Sequence, residues 1–256
     1  MKKLAAATAV ILCALALPSS ARPLAAIKAD GTLRVGLTGD YAPFSLHKPD
    51  GKIVGADVTM AESLAKSLGV ELAIVPTTWK TLKDDLVADK YDVGMGGISV
   101  TPDRAAVGDY SVAVSHDGKR PIVRCGDKDK FTSIAAIDRP ETKLIVNPGG
   151  TNERFAKANL THATLEVFPD NKTIFDQVAA GKADVMVTDG AEVDYQSRRH
   201  PGVLCPAAVK DSFDHADKAY WMTKDAALKG AVDAWLTKAL AAGDYDKALA
   251  AAAAEK

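Results

Sequence analysis

The strongest constraint on this chain is a strand–helix grammar that runs through its first half and then starts again. Residues 32–38 alternate and read as a strand, closed by Gly39-Asp40 and the segment Tyr41-Ala-Pro-Phe44. Residues 57–68 carry Val58, Met60, Ala61, Leu64, Ala65 and Leu68 at helical spacing, with Gly69 as a stop. A strand at 71–75, a helix at 80–88 and a strand at 92–95 follow. This β-α-β-α-β order points to an α/β sheet. After residue 120 the order restarts: strand 142–147, the turn Pro148-Gly-Gly-Thr151, helix 152–160, strand 163–168, helix 174–180 and strand 183–187. A helix followed by Lys90-Tyr-Asp-Val-Gly-Met95 in one half is echoed by a helix followed by Lys182-Ala-Asp-Val-Met-Val187 in the other. The C-terminus is helical over 226–241, breaks at Gly243 and ends in an Ala-rich tail expected to fray. The reading is therefore two α/β lobes with a ligand cleft between them. Ligands of open α/β sheets lie beyond the carboxyl ends of the strands.

The N-terminus speaks for export. Met1-Lys2-Lys3 is basic, residues 4–17 form an almost unbroken apolar run, and Pro18-Ser-Ser-Ala21 offers small residues for cleavage. These are the parts of a secretory signal peptide. The run falls short of the roughly 18 apolar residues that a spanning helix needs. A periplasmic protein cleaved near Ala21, with no stable membrane insertion, is the expectation. Losing Lys2 and Lys3 moves the formal charge from −1 to −3, and the remaining charges are well mixed. No basic footprint for a nucleic acid is present. Cys13 falls in the leader, which leaves Cys125 and Cys205. In an oxidising compartment these most simply form one disulfide, with a free thiol nucleophile as the rival reading.

Several strand ends carry residues suited to polar ligands. In Ser99-Val-Thr-Pro-Asp-Arg104, Thr101 suits an N-cap and Pro102 a first helical position. Free N–H groups there, with Arg104 one turn in, make a carboxylate receptor, or else Arg104 is a surface arginine after an ordinary cap. Asn147-Pro-Gly-Gly-Thr-Asn-Glu153 is either a tight turn or a second anion site, in which Gly150 admits a ligand and Thr151 and Asn152 donate to it. Asp189 and Glu192, in Thr188-Asp-Gly-Ala-Glu192, suit binding of an ammonium, proton transfer, or simply the start of a helix. Tyr41 and Trp79 either wall an apolar ring or pack in the core. His116 and Lys119 fall near the first crossing between lobes. The five histidines lack metal-ligand spacing, and there is no Gly-x-Ser-x-Gly elbow, P-loop or dinucleotide fingerprint. The expectation is no metal and no cofactor.

Thr38-Gly-Asp-Tyr-Ala-Pro-Phe44, Gly97-Ile-Ser-Val-Thr-Pro-Asp-Arg104 and the two-lobe order resemble the family 3 extracellular solute-binding proteins, which capture polar amino acids for transporters. More narrowly, Val75-Pro-Thr-Thr-Trp79, Asp117-Gly-Lys119, Ile145-Val-Asn-Pro-Gly-Gly-Thr-Asn-Glu-Arg-Phe155, Asp184-Val-Met-Val-Thr-Asp189 with Glu192, and Gln196-Ser-Arg-Arg-His-Pro201 resemble the periplasmic cyclohexadienyl dehydratases built on that fold. The resemblance implies a type II periplasmic binding protein-like fold, with residues 24–121 and 210–256 in one lobe and 122–209 in the other. It implies conversion of prephenate to phenylpyruvate, or of arogenate to phenylalanine, with loss of water and carbon dioxide. Glu192 would be the general acid, its pKa raised by a partly dry cleft. Arg104 with Ser99 and the Thr151 turn would hold the side-chain carboxylate, Lys119 and Asn147 would lie nearer the ring, and Asp40 and Trp79 would complete the pocket. The other reading is an amino-acid or carboxylate receptor of an ABC transporter, in which Asp189 holds the ligand ammonium and a transporter is the partner.

Overall fold

The computed structural model describes residues 22–254; the leader read over residues 1–21 lies outside them. Two five-stranded sheets organise the chain. The first runs Glu71–Pro76, Thr32–Leu37, Val93–Gly94, Trp221–Met222 and Asp109–Tyr110 across its width. The second runs Thr164–Val167, Lys143–Val146, Val185–Asp189, Lys119–Arg124 and Leu204–Pro206. In each, the three strands read from the sequence pair in parallel, and a fourth pairs antiparallel beside them. Parallel strands are covered on both faces, which is why their sequences are nearly continuous apolar runs. Leu33, Val35 and Leu37 in one sheet, and Leu144, Ile145, Val146, Val185, Met186 and Val187 in the other, have no exposed surface. Val35, Leu64 and Leu236 belong to one core, and Leu144, Phe155 and Val185 to another. Two α/β lobes result, each with its own core.

Strands Ser115–Asp117 and Ala216–Lys218 pair antiparallel and form the ribbon that joins the lobes. The second sheet takes up the chain at Lys119, opposite Asp189, three residues before the crossing expected at Ile122. That register puts the Lys119 side chain beside the end of the central strand. Cys125 and Cys205 form a disulfide with a Cα–Cα distance of 4.8 Å. Cys205 pairs with Val123 in the sheet, so the bridge clips strand Leu204–Pro206 to the 3-10 turn Cys125–Asp127 that follows the neighbouring strand Lys119–Arg124.

Helix Ala56–Leu68 buries Met60, Ala61, Leu64 and Ala65 and ends at Gly69, whose φ of 72° lets its N–H reach the carbonyls of Ala65 and Lys66. The Ala-rich tail does not fray: Asp244–Ala254 is a helix whose Tyr245 and Ala248 are buried in the first core. It packs on Ala56–Leu68. The aromatic ring and the small residue one turn on give this end a docking face that alanine content alone does not reveal. Among the described residues no helix is long and apolar enough to cross a membrane.

Candidate active site

The strand ends of both lobes converge. From the first lobe come Tyr41, Trp79, Gly97 and Ser99; from the second come Asn147, Gly150, Thr151, Asn152, Asn171, Asp189 and Glu192. The space between them is about 20 Å³, room for about one water molecule. A ligand the size of an amino acid therefore enters only when the lobes part. Gly149 marks how closely they meet. Its φ is 81°, and a Cβ there would stand 2.6 Å from the Lys80 Cα of the other lobe. Larger hollows lie elsewhere, one of about 760 Å³ beside the connecting ribbon, but no buried acid points into it.

Asp189 is the hub. Its Oδ1 accepts from Lys119 Nζ at 2.7 Å, and its Oδ2 accepts from Lys218 Nζ at 2.5 Å and from Tyr41 Oη at 2.6 Å. Burial works against its charge, but the two ammonium groups overcome this and hold its carboxyl well below the usual carboxylate range. Lys119 also donates to Thr151 Oγ1 (2.9 Å) and Asn152 Oδ1 (2.5 Å). Lys218 also donates to Ser99 Oγ (2.8 Å), and its own pKa is pushed down by burial against the pull of Asp189. One carboxylate thus ties the ribbon, both lobes and the Thr151 turn together.

Glu192, three residues on, is in the opposite state. It is 1% exposed, and burial pushes its pKa up to about 8; the Thr188 hydroxyl bond opposes this, and the charges of Asp189 and Asp40 add to it. Thr188 Oγ1 donates to Glu192 Oε2 at 2.5 Å and accepts from Asn152 Nδ2, which also donates to Asn147 Oδ1. Asn147 is thereby linked to the acid through two side chains. A neutral acid in the first turn of helix Gly190–Arg199 and an ionised one at the end of strand Val185–Asp189 are the arrangement by which proteins separate proton donor from charge stabiliser.

The first lobe supplies a wall. Trp79 Nε1 donates to Asp40 Oδ1 (3.0 Å), and the rings of Tyr41 and Trp79 meet edge to face, centroids 5.6 Å apart. Burial raises the pKa of Asp40, against the bonds from Thr38 and Trp79. Arg104 is 3% exposed and stands behind Ser99, whose main-chain oxygen accepts from its Nη1 at 2.9 Å; it is not a surface arginine. Burial pushes its pKa down, and among the described residues it makes no ion pair. It is not among the residues that line the space between the lobes, and the charges that act on it are those of Tyr110, Arg154, Asp103 and Tyr91. Thr101 precedes helix Pro102–Ala105 as read, but its side chain does not cap it. Asp117, not Asp189, takes up the amides at the start of helix Gly190–Arg199, accepting from Gly190 and Ala191. Among the described residues no group of three or more His, Cys, Asp or Glu is placed to hold a metal ion.

The sequence reading missed Lys218, Asn171 and Thr188. Asn171 and Thr188 follow or end strands and fall under the strand-end rule applied to their neighbours. Lys218 has no local signal, because its place depends on the ribbon pairing with residues a hundred positions earlier.

The model of the bacterial extracellular solute-binding proteins, family 3, matches residues 33–251. A cyclohexadienyl dehydratase of Pseudomonas aeruginosa is 45% identical over 232 residues, covering 91% of this chain and 86% of that protein. The crystal structure of an ancestral amino acid-binding protein, a precursor of cyclohexadienyl dehydratase, superposes with a TM-score of 0.79 at 34% identity over 88% of this chain and 96% of that one. An ancestral cyclohexadienyl dehydratase is 46% identical, with a TM-score of 0.56 over 91% and 97% of the two chains.

Proposed function

Because this chain belongs to the bacterial extracellular solute-binding proteins, family 3, we propose that it has turned a solute cleft into a catalytic one and acts as a cyclohexadienyl dehydratase on prephenate, arogenate or both. Family and leader together support a periplasmic protein cleaved near Ala21. The observation that carries the reading is Glu192: a buried carboxyl with a pKa of about 8, still mostly protonated at neutral pH beside an ionised Asp189.

The chemistry asks little more. Glu192 gives its proton to the departing ring hydroxyl, the C–O bond breaks and water leaves. The ring carboxylate departs as carbon dioxide, and its bonding pair completes the aromatic ring. Charge explains the rest of the site. Lys119 and Lys218 both face the one carboxylate of Asp189, so this cluster keeps an excess positive charge while Glu192 stays neutral, and a bound anion favours the protonated acid further. Arg104 with Ser99 and the Thr151 turn receive the side-chain carboxylate, while Trp79 and Tyr41 stand against the ring. Closure excludes water and aligns acid and leaving group.

An amino-acid receptor would place the ligand ammonium on Asp189. That position already faces the ammonium groups of Lys119 and Lys218, which supports the dehydratase reading over simple amino-acid capture. The test is direct: purified protein incubated with prephenate should release phenylpyruvate with water and carbon dioxide. Tight binding of amino acids with no phenylpyruvate formed would favour the receptor.

A further inference from the structure

Asn171 lies between strand Thr164–Val167 and helix Ile174–Ala179 of the second lobe. It is 5% exposed and lines the same space as Glu192. Its Nδ2 donates to the main-chain oxygen of Asp40 at 2.9 Å, a bond that crosses between lobes. A carbonyl oxygen only accepts, so the amide nitrogen must face Asp40 and Oδ1 must face away from it. That Oδ1 is buried and has no hydrogen-bond partner among the described residues. Buried acceptors are rarely left so, and an exception asks for a functional account.

Several neighbouring acceptors already take a hydrogen. Asn147 Oδ1 is taken by Asn152, Asn152 Oδ1 and Thr151 Oγ1 by Lys119, and Ser99 Oγ by Lys218. Both oxygens of Asp189 are held by lysines. The proposed reaction brings in one group that needs an acceptor. When an acid donates into a lone pair of an alcohol, the alcohol's own hydrogen still requires a partner in a dry site.

We propose that Asn171 is a substrate-contacting specificity residue: its Oδ1 accepts the hydrogen of the departing ring hydroxyl while its Nδ2 holds Asp40. Recognition of the hydroxyl is thereby joined to closure of the lobes. This inference rests on the dehydratase reading and adds to it the residue that tells substrate from dehydrated product. A site built around a ligand hydroxyl discriminates strongly against the analogue lacking it.

The test compares two ligands in a Glu192→Gln background, where turnover does not interfere. Prephenate carries the ring hydroxyl; phenylpyruvate does not. Calorimetric titration of Glu192→Gln with and without Asn171→Leu should show prephenate weakened about 10-fold or more, and phenylpyruvate less than about 3-fold. Asn171→Ala, which makes room where leucine fills it, carries the same expectation and serves if the leucine variant does not fold. Equal losses for the two ligands would make Asn171 a latch alone and overturn the inference, as would no loss for either. Turnover of prephenate by the wild type is measured first. Its absence removes the dehydratase reading and this inference with it, whereas equal losses in the presence of turnover remove the inference alone.

Discussion

The two lobes share the order of their three parallel strands and end them in different chemistry. In the first lobe the strand ends offer Tyr41, Trp79, Gly97 and Ser99, with Asp40 held by the Trp79 indole. In the second they offer Asn147, Thr151, Asn152, Asp189 and Glu192, with Thr188 bonded to Glu192. On the proposed function, one lobe supplies shape and the carboxylate receptor, and the other supplies the proton and the charges that set it. A duplicated architecture thus leaves each half free to specialise, because only the strand ends face the cleft while the buried strands keep each half folded. The cleft needs both halves: Lys218 of the ribbon reaches Ser99 on one side and Asp189 on the other.

Exchanging Glu192 for Gln is the sharpest way to break this division. The second lobe then keeps its hydrogen-bonding shape and loses its transferable proton. The kcat should fall by about 10²-fold or more, with KM nearly unchanged, in a steady-state assay of phenylpyruvate release. Comparable kcat in the variant would mean that the second lobe's proton donor is another residue. Arg104→Ala should give a smaller and different loss, falling on KM. Removing a charge-assisted contact to the ligand carboxylate costs about 10- to 100-fold. Since Arg104 makes no ion pair among the described residues, its loss should leave the free protein's Tm unchanged or slightly higher. A large fall in Tm would show that its role is structural. Next in size is Gly149→Ala, which touches neither chemistry but the fit between lobes. A Cβ set 2.6 Å from the Lys80 backbone should hinder closure and lower kcat/KM by about 10-fold, while small-angle scattering reports a more open protein with ligand present.

How much of this division the sequence shows depends on distance along the chain. The strand ends at Asp40, Trp79, Ser99, Asn147 and Asp189 are readable because each strand, turn and helix is a local pattern. The pairing of Cys125 with Cys205 was readable because only two cysteines follow the leader. Lys218 was not, since in Ala216-Asp-Lys218 it alternates like an exposed strand residue and only the long-range pairing buries it. The state of Asp189 was hidden for the same reason: a carboxylate placed to receive an ammonium and one already saturated by two lysines look alike in Thr188-Asp189. Tyr245 and Ala248 show the same limit at the C-terminus, where the docking surface lies on a helix nearly 200 residues away.

The smallest effect concerns stability and tests the contrast between the two acids of the second lobe. Glu192 has an ordinary value of 4.5 and a folded value of about 8. A group whose pKa is raised by folding contributes fully below its unfolded value, and that contribution is lost as the pH climbs through the folded one. Wild-type stability should therefore decline relative to Glu192→Gln between about pH 4.5 and pH 8. Asp57, raised to about 6 by burial against bonds from Tyr220 and the amides of Gly97 and Gly96, shifts stability with the same sign, but it is present in both proteins and cancels. Asp189 has the opposite sign: its contribution is lost only as the pH falls below the usual carboxylate range, so it too cancels in this window. The Tm of Glu192→Gln minus that of the wild type should grow steadily from pH 5 to pH 8.5, at about 2–4 °C per kcal/mol for a chain of this size. A difference that stays flat across those pH values would mean that Glu192 is ionised like Asp189. The second lobe would then hold two charges and no proton donor.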